Sequence, residues 1–405
     1  MRYLLLRLKR FCGFITGFIF FIGGVLKLID PVGAGLVMKE YFDFLHIGFL
    51  DFAAKPLGAL FAGLEVVIGA GLVTGVWRKL IAATAMILQG VFTLLTLFLV
   101  IFNPQMDCGC FGEAIHLSHT ETFIKNIILC LLLAAYYFPA RFLGHNKKHK
   151  YVSFAIVTIS ALLLGIYSWL YIPLVDFTAY KPAAALKAGH AFATEPSERY
   201  ESIFVYEKDG KEEVFDLESL PDSTWNFVRT DTKEKEDYKN EDFLDLSFTD
   251  AEGVYQDETA ATGKVMIVSV YDMDSRSADW KSAASFIMNA ERNGFKPLIL
   301  VAGTPEQMGS FAERLDVESY SALKDHIFYS DYKTLITLNR SNMGVTYFSD
   351  GYLIRKWARR NMPDDQTLKE TATGDDTETI IGQSTNGSLT FQGFLLYVFA
   401  VMLLL

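Results

Sequence analysis

The distribution of long apolar stretches constrains the fold of this chain more than any other feature of its sequence. A transmembrane helix needs about 17–25 mostly apolar residues. Five stretches of this kind lie at about residues 11–29, 57–76, 80–102, 122–139 and 151–174. A shorter apolar stretch, residues 391–405, predicts a sixth span at the C-terminus. The pattern therefore predicts a polytopic membrane protein.

Charge divides the chain into two parts. Residues 1–175 carry a formal net charge of +6, whereas residues 176–405 carry −16. We interpret the first part as membrane-embedded and the second as mostly soluble and acidic. An acidic domain argues against nucleic acid as a partner, because binding to phosphates needs clustered Lys and Arg. Membrane lipid is the partner that the apolar part predicts.

Basic residues lie at alternate ends of the predicted spans, which indicates their orientation, since Lys and Arg accumulate on the cytoplasmic side. They are Arg2, Arg7, Lys9, Arg10, Arg78, Lys79, Arg141, Lys147, Lys148 and Lys150. The loop at residues 103–121 has no Lys or Arg. We therefore expect a bacterial inner-membrane protein with a cytoplasmic N-terminus, in which this loop and residues from about 175 to 388 are periplasmic. No usual cleavage site follows the first span, so we expect it to be retained.

The loop between the third and fourth spans contains Cys108-Gly109-Cys110. A disulfide between residues this close in sequence closes a small, strained ring and is easily reduced, and Gly109 relaxes the turn that it needs. Disulfides persist outside the cytoplasm. The pattern predicts thiol–disulfide exchange, in which a partner thiolate attacks one sulfur and the other sulfur resolves the mixed disulfide. The sequence does not distinguish their roles.

Two further cysteines, Cys12 and Cys130, lie inside apolar stretches at different predicted depths. We predict that each is a packed apolar side chain, so that no second cysteine pair relays electrons. Re-oxidation of the Cys108/Cys110 pair then needs another acceptor, for which a quinone inside the bundle is a candidate.

Two other interpretations of the loop remain open. His116 and His119 follow at the spacing Cys-x-Cys-x5-His-x2-His, and four such ligands can bind zinc or copper. Alternatively, Cys108 and Cys110 only pack at the end of the bundle.

Three polar side chains within or beside the spans form a candidate intramembrane polar site: Lys27, Glu65 and Gln89. Charged groups in a membrane are costly and usually face the bundle interior or one another. The predicted depths of Lys27 and Glu65 differ, so an ion pair between them competes with separate partners.

Four strings carry a family resemblance: GVLKLIDP at residues 24–31, LEVVIG at 64–69, DCGCFG at 107–112 and TFIKN at 122–126. Residues 10–140 resemble the DoxX-like membrane proteins, specifically the branch that includes the methylamine-utilisation protein MauE. The resemblance implies a four-helix bundle related in layout to membrane thiol oxidoreductases. It also implies a role in forming or delivering disulfides to periplasmic thiol proteins.

From residue 264 the pattern predicts the order β-α-β-α-β-α-β-β, with a hairpin turn at Asp350-Gly351. This order resembles the thioredoxin fold over residues 264–370. The Cys-x-x-Cys motif is replaced by residues 272–277 (DMDSRS), and the cis-proline by Asn342-Met343-Gly344. The domain therefore has no thiol of its own, and we interpret it as a docking domain.

The predicted fold class is an α-helical membrane bundle, of four helices plus one or two further spans, with an α/β thioredoxin-like periplasmic domain. Its predicted parts are the bundle (1–140), a basic loop and fifth span (141–175), a β-containing subdomain or linker (176–263), the thioredoxin-like domain (264–370), and a polar tether with a last span (371–405). The predicted function is a membrane thiol–disulfide redox component. A non-enzymatic scaffold and a metal-handling protein are the alternatives.

Overall fold

The computed structural model describes residues 2–104, 106–138, 148–187, 200–208, 211–215, 221, 224–234, 244–274, 279–314 and 317–404. The chain divides into two compact units. The membrane unit comprises Met1–Thr178 and Thr385–Leu405, and the sheet unit comprises Ala179–Ser384. The basic segment 141–147 and residues 275–277 of the DMDSRS string lie outside the described residues.

The membrane unit is built from helices. They are α1 (Arg2–Ile29), α2 (Pro31–Phe44), α3 (Ala54–Thr74), α4 (Arg78–Phe102), α5 (His119–Tyr137) and α6 (Lys148–Leu170). Within the described residues, α1 and α3–α6 provide five segments long and apolar enough to cross a membrane. The prediction of five apolar helices is thus confirmed. Large apolar side chains such as Ile87, Leu131 and Leu163 are exposed on α4–α6, where lipid would cover them.

Helix α2 was not predicted by the apolar pattern. It begins because Asp30 caps it, the carboxylate accepting a hydrogen bond from the Gly33 amide at 2.9 Å, with Pro31 at the first helical position. The segment after it contains a short 3₁₀ helix at Gly48–Ala53. Phe52 in this turn is 83% exposed.

Helices α1 and α3 approach closely because glycines face each other. A Cβ atom at Gly24 would lie 2.7 Å from the Ala62 carbonyl oxygen, and one at Gly17 would lie 2.8 Å from the Gly69 carbonyl oxygen. Small residues of this kind allow helix backbones to touch in a membrane. The contact brings Lys27 of α1 alongside Glu65 of α3.

The segment that we predicted as a polar tether before the last apolar stretch is mostly helical. Its two helices, labelled by their order in the chain, are α12 (Asp365–Thr373) and α13 (Asp376–Leu404). A cap at Asp364 and an acidic first turn in each helix favour these starts. In the membrane unit, the Tyr397 hydroxyl lies 2.7 Å from the Ser160 hydroxyl of α6. That residues 391–405 span the membrane stays a prediction.

The sheet unit begins with a three-stranded antiparallel sheet in the order β2-β1-β3. Its strands are β1 (Tyr200–Lys208), β2 (Lys211–Phe215) and β3 (Asn226–Glu234). All three strands lie within residues 176–263, where we predicted a β-containing subdomain or linker. A short helix, α7 (Glu258–Ala261), precedes the larger sheet.

The larger sheet has five strands in the order β6-β5-β4-β7-β8. Its elements are β4 (Lys264–Val270), α8 (Trp280–Arg292), β5 (Lys296–Ala302), α9 (Pro305–Ala312), α10 (Val317–Leu323), β6 (Ile327–Ser330), α11 (Tyr332–Leu338), β7 (Gly344–Ser349) and β8 (Tyr352–Trp357). Strands β4, β5 and β6 are parallel, whereas β7 and β8 are antiparallel to their neighbours. The predicted order of strands and helices is confirmed, except that two helices, α9 and α10, stand where one was expected.

Alternating side chains of β4 fill two apolar cores, one on each face of the sheet. Met266 and Val268 pack with residues of α8, whereas Val265 and Ile267 pack with Phe248 and its neighbours. This is the period of two that a strand imposes on its side chains. The predicted hairpin is present, with φ of 47° at Asp350 and 80° at Gly351.

Candidate functional site

The Cys108–Cys110 loop has a backbone that only glycine accommodates at its centre. Gly109 has φ of 62°, in the left-handed region, and a Cβ atom there would collide with the Val37 side chain of α2. Gly112 also has a positive φ, of 60°. These glycines let the loop fold back against the helices of the bundle.

The two thiols of this loop differ in exposure. Cys108 is 6% exposed, whereas Cys110 is only partly buried, and both are free thiols. The Tyr41 hydroxyl donates a hydrogen bond to the Cys108 carbonyl oxygen at 3.2 Å. Burial raises the pKa of the Cys108 thiol above its usual value, because an apolar surrounding disfavours the thiolate. Cys110 is therefore the more exposed of the two cysteines.

A buried ion pair lies beside the loop. Lys27 Nζ is 2.6 Å from Glu65 Oε1, and the two side chains are 14% and 5% exposed. A Cβ atom at Gly23 would lie 3.3 Å from the Cys110 carbonyl oxygen and 3.4 Å from Glu65 Oε2. The absence of a side chain at Gly23 thus lets the backbone of Cys110 and the carboxylate of Glu65 approach the same point.

Polar groups of α4 and α5 extend this site. Gln89 Nε2 donates to the Asn126 carbonyl oxygen at 3.3 Å, and Asn126 Nδ2 donates to Thr96 Oγ1 at 3.2 Å. All three are buried. Asn126 was not among the predicted site residues, although an amide inside an apolar span is the signal that singled out Gln89.

The thiols and the ion pair line one cavity of about 260 Å³. Its apolar wall is formed by Ala34, Val37, Met38, Phe42, Leu45, Phe61, Val91, Phe92 and Leu95. Its polar lining groups are Lys27, Tyr41, Glu65, Thr96, Cys108, Cys110 and Asn126. A smaller cavity of about 40 Å³ adds Gln89 and Lys125 to Lys27, Glu65 and Cys110. The site is thus a mostly apolar cavity whose lining includes several polar side chains.

The other two cysteines lie away from these cavities. Cys12 packs in an apolar cluster with Phe20, Ile68 and Leu133. Cys130 Sγ lies 3.3 Å from the Thr93 hydroxyl of α4. Neither lines the larger or the smaller cavity, which fits their predicted role as packed side chains.

The alternative metal site is not assembled. His116 lies 3.5 Å from the Asp107 carboxylate, and His119 Nε2 lies 3.0 Å from the Met106 carbonyl oxygen. Among the residues that the structure describes, no three His, Cys, Asp or Glu side chains converge on one point. The reason is local, since the two histidines turn towards neighbouring residues of their own loop.

In the sheet unit, Asn342 occupies the turn before β7. Its Oδ1 accepts hydrogen bonds from the amides of Tyr271 and Asp272 at 3.0 and 3.1 Å, and its Nδ2 donates to the Asp272 carbonyl oxygen at 2.8 Å. Met343 follows with φ of 60°. These contacts tie the end of β4 to the turn before β7.

Comparison with known proteins supports the description of the membrane unit. Residues 3–139 match the family model described as methylamine utilisation protein MauE, and residues 200–236 match a family described only as a domain of unknown function. A curated relative, Protein TlpB of Flavobacterium psychrophilum, is 25% identical over 154 residues. These residues cover 37% of this chain and 42% of the relative, so the chain spans less than half of that protein's length.

No solved structure matches this chain. The MauE resemblance predicted from the sequence is confirmed over residues 3–139, whereas the wider DoxX and thioredoxin resemblances stay predictions. Together, the five apolar helices and the match to a MauE model identify a multi-pass membrane protein whose N-terminal third is MauE-like.

Proposed function

We propose that this protein is a membrane-bound thiol–disulfide redox component of the bacterial inner membrane, which passes disulfide equivalents to or from periplasmic thiol proteins through Cys108 and Cys110. One observation carries the proposal most strongly. A partly exposed thiol and a buried thiol, separated by one glycine, line the same apolar cavity as a buried ion pair. The match to a MauE model agrees with this role, and the Lys/Arg distribution supports the periplasmic placement of the loop.

The thiol–disulfide exchange conserves electrons and protons. A partner thiolate attacks Sγ of Cys110 in the Cys108–Cys110 disulfide, a mixed disulfide forms, and Cys108 leaves as a thiolate that takes a proton. A second partner thiolate then attacks the partner sulfur of the mixed disulfide and releases Cys110. The partner loses two electrons and becomes a disulfide, and this chain gains two electrons and two protons as two thiols.

The sheet unit supplies the docking surface in this proposal. Its strand order, with three parallel strands and an antiparallel pair at one edge, supports a thioredoxin-like fold. All four cysteines of the chain lie before residue 131, so the sheet unit brings no thiol to the reaction. Its role is to hold the periplasmic protein that exchanges thiols with the loop.

Thiol trapping in intact cells tests the proposal. Free thiols are blocked with N-ethylmaleimide, disulfides are reduced, and the new thiols are tagged with a heavy maleimide. The wild-type chain is compared with Cys108→Ser/Cys110→Ser and with Cys130→Ser as the matched control. We expect a mixture of oxidised and reduced wild-type chains that responds to dithiothreitol, and no tagging of the double variant. A Cys108/Cys110 pair that stays wholly reduced under an added oxidant would refute the proposal.

The scaffold alternative makes a different prediction for the same variants. It is favoured by the cysteine-free sheet unit alone, and a scaffold needs neither Cys108 nor Cys110. If partner thiol proteins keep their normal redox state in cells that carry only the double Ser variant, the protein acts as a scaffold. We expect instead that the partners accumulate in one redox state.

The exposure difference predicts which single variant traps a partner. With Cys108→Ser, the Cys110 thiolate attacks a partner disulfide and releases one partner thiolate, and no internal thiol then resolves the mixed disulfide. With Cys110→Ser, only the buried Cys108 remains, so we expect little mixed disulfide. Non-reducing gels of both variants measure the difference, and equal trapping would contradict the assignment of Cys110 as the exchanging sulfur.

A further inference from the structure

A groove of about 470 Å³ lies in the sheet unit, between α8 and the segment that follows β8. Ser282, Ser285 and Asn289 line it at intervals of three and four residues along α8, so they share one face of that helix. Its other lining residues include four from the segment after β8, which are Arg359, Arg360, Met362 and Pro363. We call this feature the α8 groove.

The charge of the α8 groove is opposite to that of the region that carries it. Among the residues that the structure describes, three cations line the groove, Lys281, Arg359 and Arg360, against one carboxylate, that of Asp279. Their formal charges sum to +2, whereas residues 176–405 together carry −16. An anionic ligand is therefore attracted at this groove, although the overall charge of the region repels it.

The charged groups of the three cations are available to a ligand. Within the described part of the chain, none of the three forms an ion pair or a side-chain hydrogen bond. The Asp279 carboxylate instead accepts hydrogen bonds from the Ser282 amide and hydroxyl at 3.1 and 2.6 Å. These hydrogen bonds, with a smaller effect of Arg359, lower the pKa of Asp279. The carboxylate is thus used in capping α8, and the cations remain to pair with an incoming anion.

The backbone that carries the two arginines is held in place. The 3₁₀ turn Arg359–Asn361 directly follows Trp357 and Ala358, which are both buried. The Arg359 amide donates a hydrogen bond to the Ser341 hydroxyl at 3.0 Å. A wall that is fixed before binding loses little conformational freedom when a ligand arrives, which favours affinity.

The length of the α8 groove fits a peptide better than a single small anion. Ser282 and Asn289 are seven residues apart, which is about 10 Å along the axis of an α-helix. An extended peptide covers this length in about three residues. A single phosphate or carboxylate ion would occupy only one end of the groove.

We propose that the α8 groove binds an extended acidic peptide segment, whose carboxylates pair with Lys281, Arg359 and Arg360. Arginine can hold a carboxylate through two parallel hydrogen bonds, which adds geometric selection to charge. This inference rests on the proposed function in one respect, because it takes the segment to belong to the periplasmic thiol protein that the sheet unit holds. It names the docking surface and the chemistry of the partner.

Peptide binding can be measured without any thiol reaction. We would purify the full chain as the Cys108→Ser/Cys110→Ser variant in dodecyl maltoside and follow the fluorescence anisotropy of fluorescein-labelled hexaglutamate. Hexaglutamine with the same label is the matched control. We expect saturable binding of hexaglutamate and little binding of hexaglutamine, and equal binding of the two would overturn the proposal.

A competition experiment separates a peptide site from a small-anion site. Unlabelled hexaglutamate and inorganic phosphate are each added to the complex of the chain with labelled hexaglutamate. We expect phosphate to displace the label only at concentrations at least tenfold above those of the unlabelled peptide. Displacement at equal concentrations would show that the groove takes a small anion, and the peptide proposal would be wrong.

Two double variants test the role of the cations. Lys281→Gln/Arg360→Gln removes two charges of the α8 groove, whereas Arg292→Gln/Lys296→Gln removes two exposed charges that do not line it. Both change the net charge of the chain equally. We expect the first to weaken hexaglutamate binding by about fivefold, which corresponds to about 1 kcal/mol, and the second to leave it nearly unchanged. Equal weakening would show that the peptide responds to overall charge, and would refute the groove as its site.

Two tryptophan variants test whether the ligand runs along α8. Asn289→Trp narrows the groove and keeps its three cations, whereas Met288→Trp adds the same side chain at an exposed neighbouring position outside the lining. We expect Asn289→Trp to weaken hexaglutamate binding and Met288→Trp to leave it unchanged. If Asn289→Trp has no effect, the ligand does not extend along α8 and the proposal of an extended segment is wrong. Circular dichroism confirms that the variants fold.

The proposed function and the α8 groove fail separately. If thiol trapping shows a redox-active pair but hexaglutamate does not bind, the groove proposal is wrong and the proposed function stands. If hexaglutamate binds with the expected dependence on Lys281 and Arg360 but the thiols never oxidise, the proposed function is wrong and the groove remains an acidic-peptide site.

Discussion

The buried pair of Lys27 and Glu65 allows a quantitative test of the packing between α1 and α3. The two side chains lie 2.6 Å apart and are 14% and 5% exposed. Removing one partner of a buried pair leaves an uncompensated charge and costs about 3–5 kcal/mol, whereas replacing both by apolar residues of similar volume is close to neutral. We therefore expect Lys27→Met to lower the free energy of unfolding by about 3–5 kcal/mol.

Glu65→Leu should cost less than Lys27→Met. Lys27 lies two residues before the end of α1, and a lysine near a helix end can extend its ammonium group towards water. The double variant Lys27→Met/Glu65→Leu should be more stable than the Lys27→Met variant. The coupling energy from this cycle measures the pairwise interaction.

Reversible unfolding of the full chain in mixed micelles with increasing dodecyl sulfate, followed by circular dichroism, measures these free energies. Lys39→Met is the matched control, because Lys39 pairs with Asp51 at 3.7 Å with both side chains 35% exposed. An exposed pair contributes about 0–1 kcal/mol. If Lys27→Met costs no more than Lys39→Met, Lys27 and Glu65 are not a buried pair and the described packing of α1 on α3 is wrong.

Three further predictions follow from the loop and the sheet unit. Gly109→Ala should destabilise the chain by about 1–2 kcal/mol through its left-handed backbone alone. A second change, Val37→Ala, should restore only the stability lost through the collision with the Val37 side chain, and full recovery would show that the backbone is unstrained. Burial raises the pKa of Cys108, so its thiolate forms only at higher pH, and iodoacetamide should modify Cys108 more slowly than Cys110 at pH near 8. Mass spectrometry of the loop peptide measures both rates, and faster reaction of Cys108 would contradict its description as the buried thiol. Asn342→Leu removes three hydrogen bonds to the end of β4 and should lower the free energy of unfolding by about 1–3 kcal/mol. We expect faster hydrogen exchange at the amides of Tyr271 and Asp272, and unchanged exchange would show that the turn forms without Asn342.

Residue patterns along the chain were sufficient to predict most of the helices and strands. A backbone in lipid must satisfy its own hydrogen bonds, so a long apolar stretch becomes a helix whatever its neighbours are. Alternation and turn residues similarly predicted the strands from residue 264 and the hairpin at Asp350-Gly351. The exceptions include α2, α12 and the start of α13, where caps at Asp30 and Asp364 and acidic first turns outweigh an apolar pattern that is weak there.

The candidate site was only partly accessible to sequence reasoning. Cys108, Cys110, Lys27, Glu65 and Gln89 were identified as single residues, because thiols and polar groups stand out against apolar spans. Their arrangement was not, and neither were the contributions of Asn126 and Tyr41. Lys27 and Glu65 are 38 residues apart, and their pairing depends on how α1 and α3 rotate against each other.

The sequence by itself determined most of the helices and strands, and most of the residues of the candidate site, since these properties depend on local composition and spacing. Tertiary structure decided that Cys108 is buried and Cys110 is partly exposed, that Lys27 meets Glu65, and that both pairs line one cavity. The physical reason is that burial and proximity arise from close packing between distant segments. At Gly23 and Gly24, the absence of a Cβ atom sets how near two backbones come, and at Gly109 it sets how near the loop comes to the Val37 side chain. No periodicity along the chain records those distances.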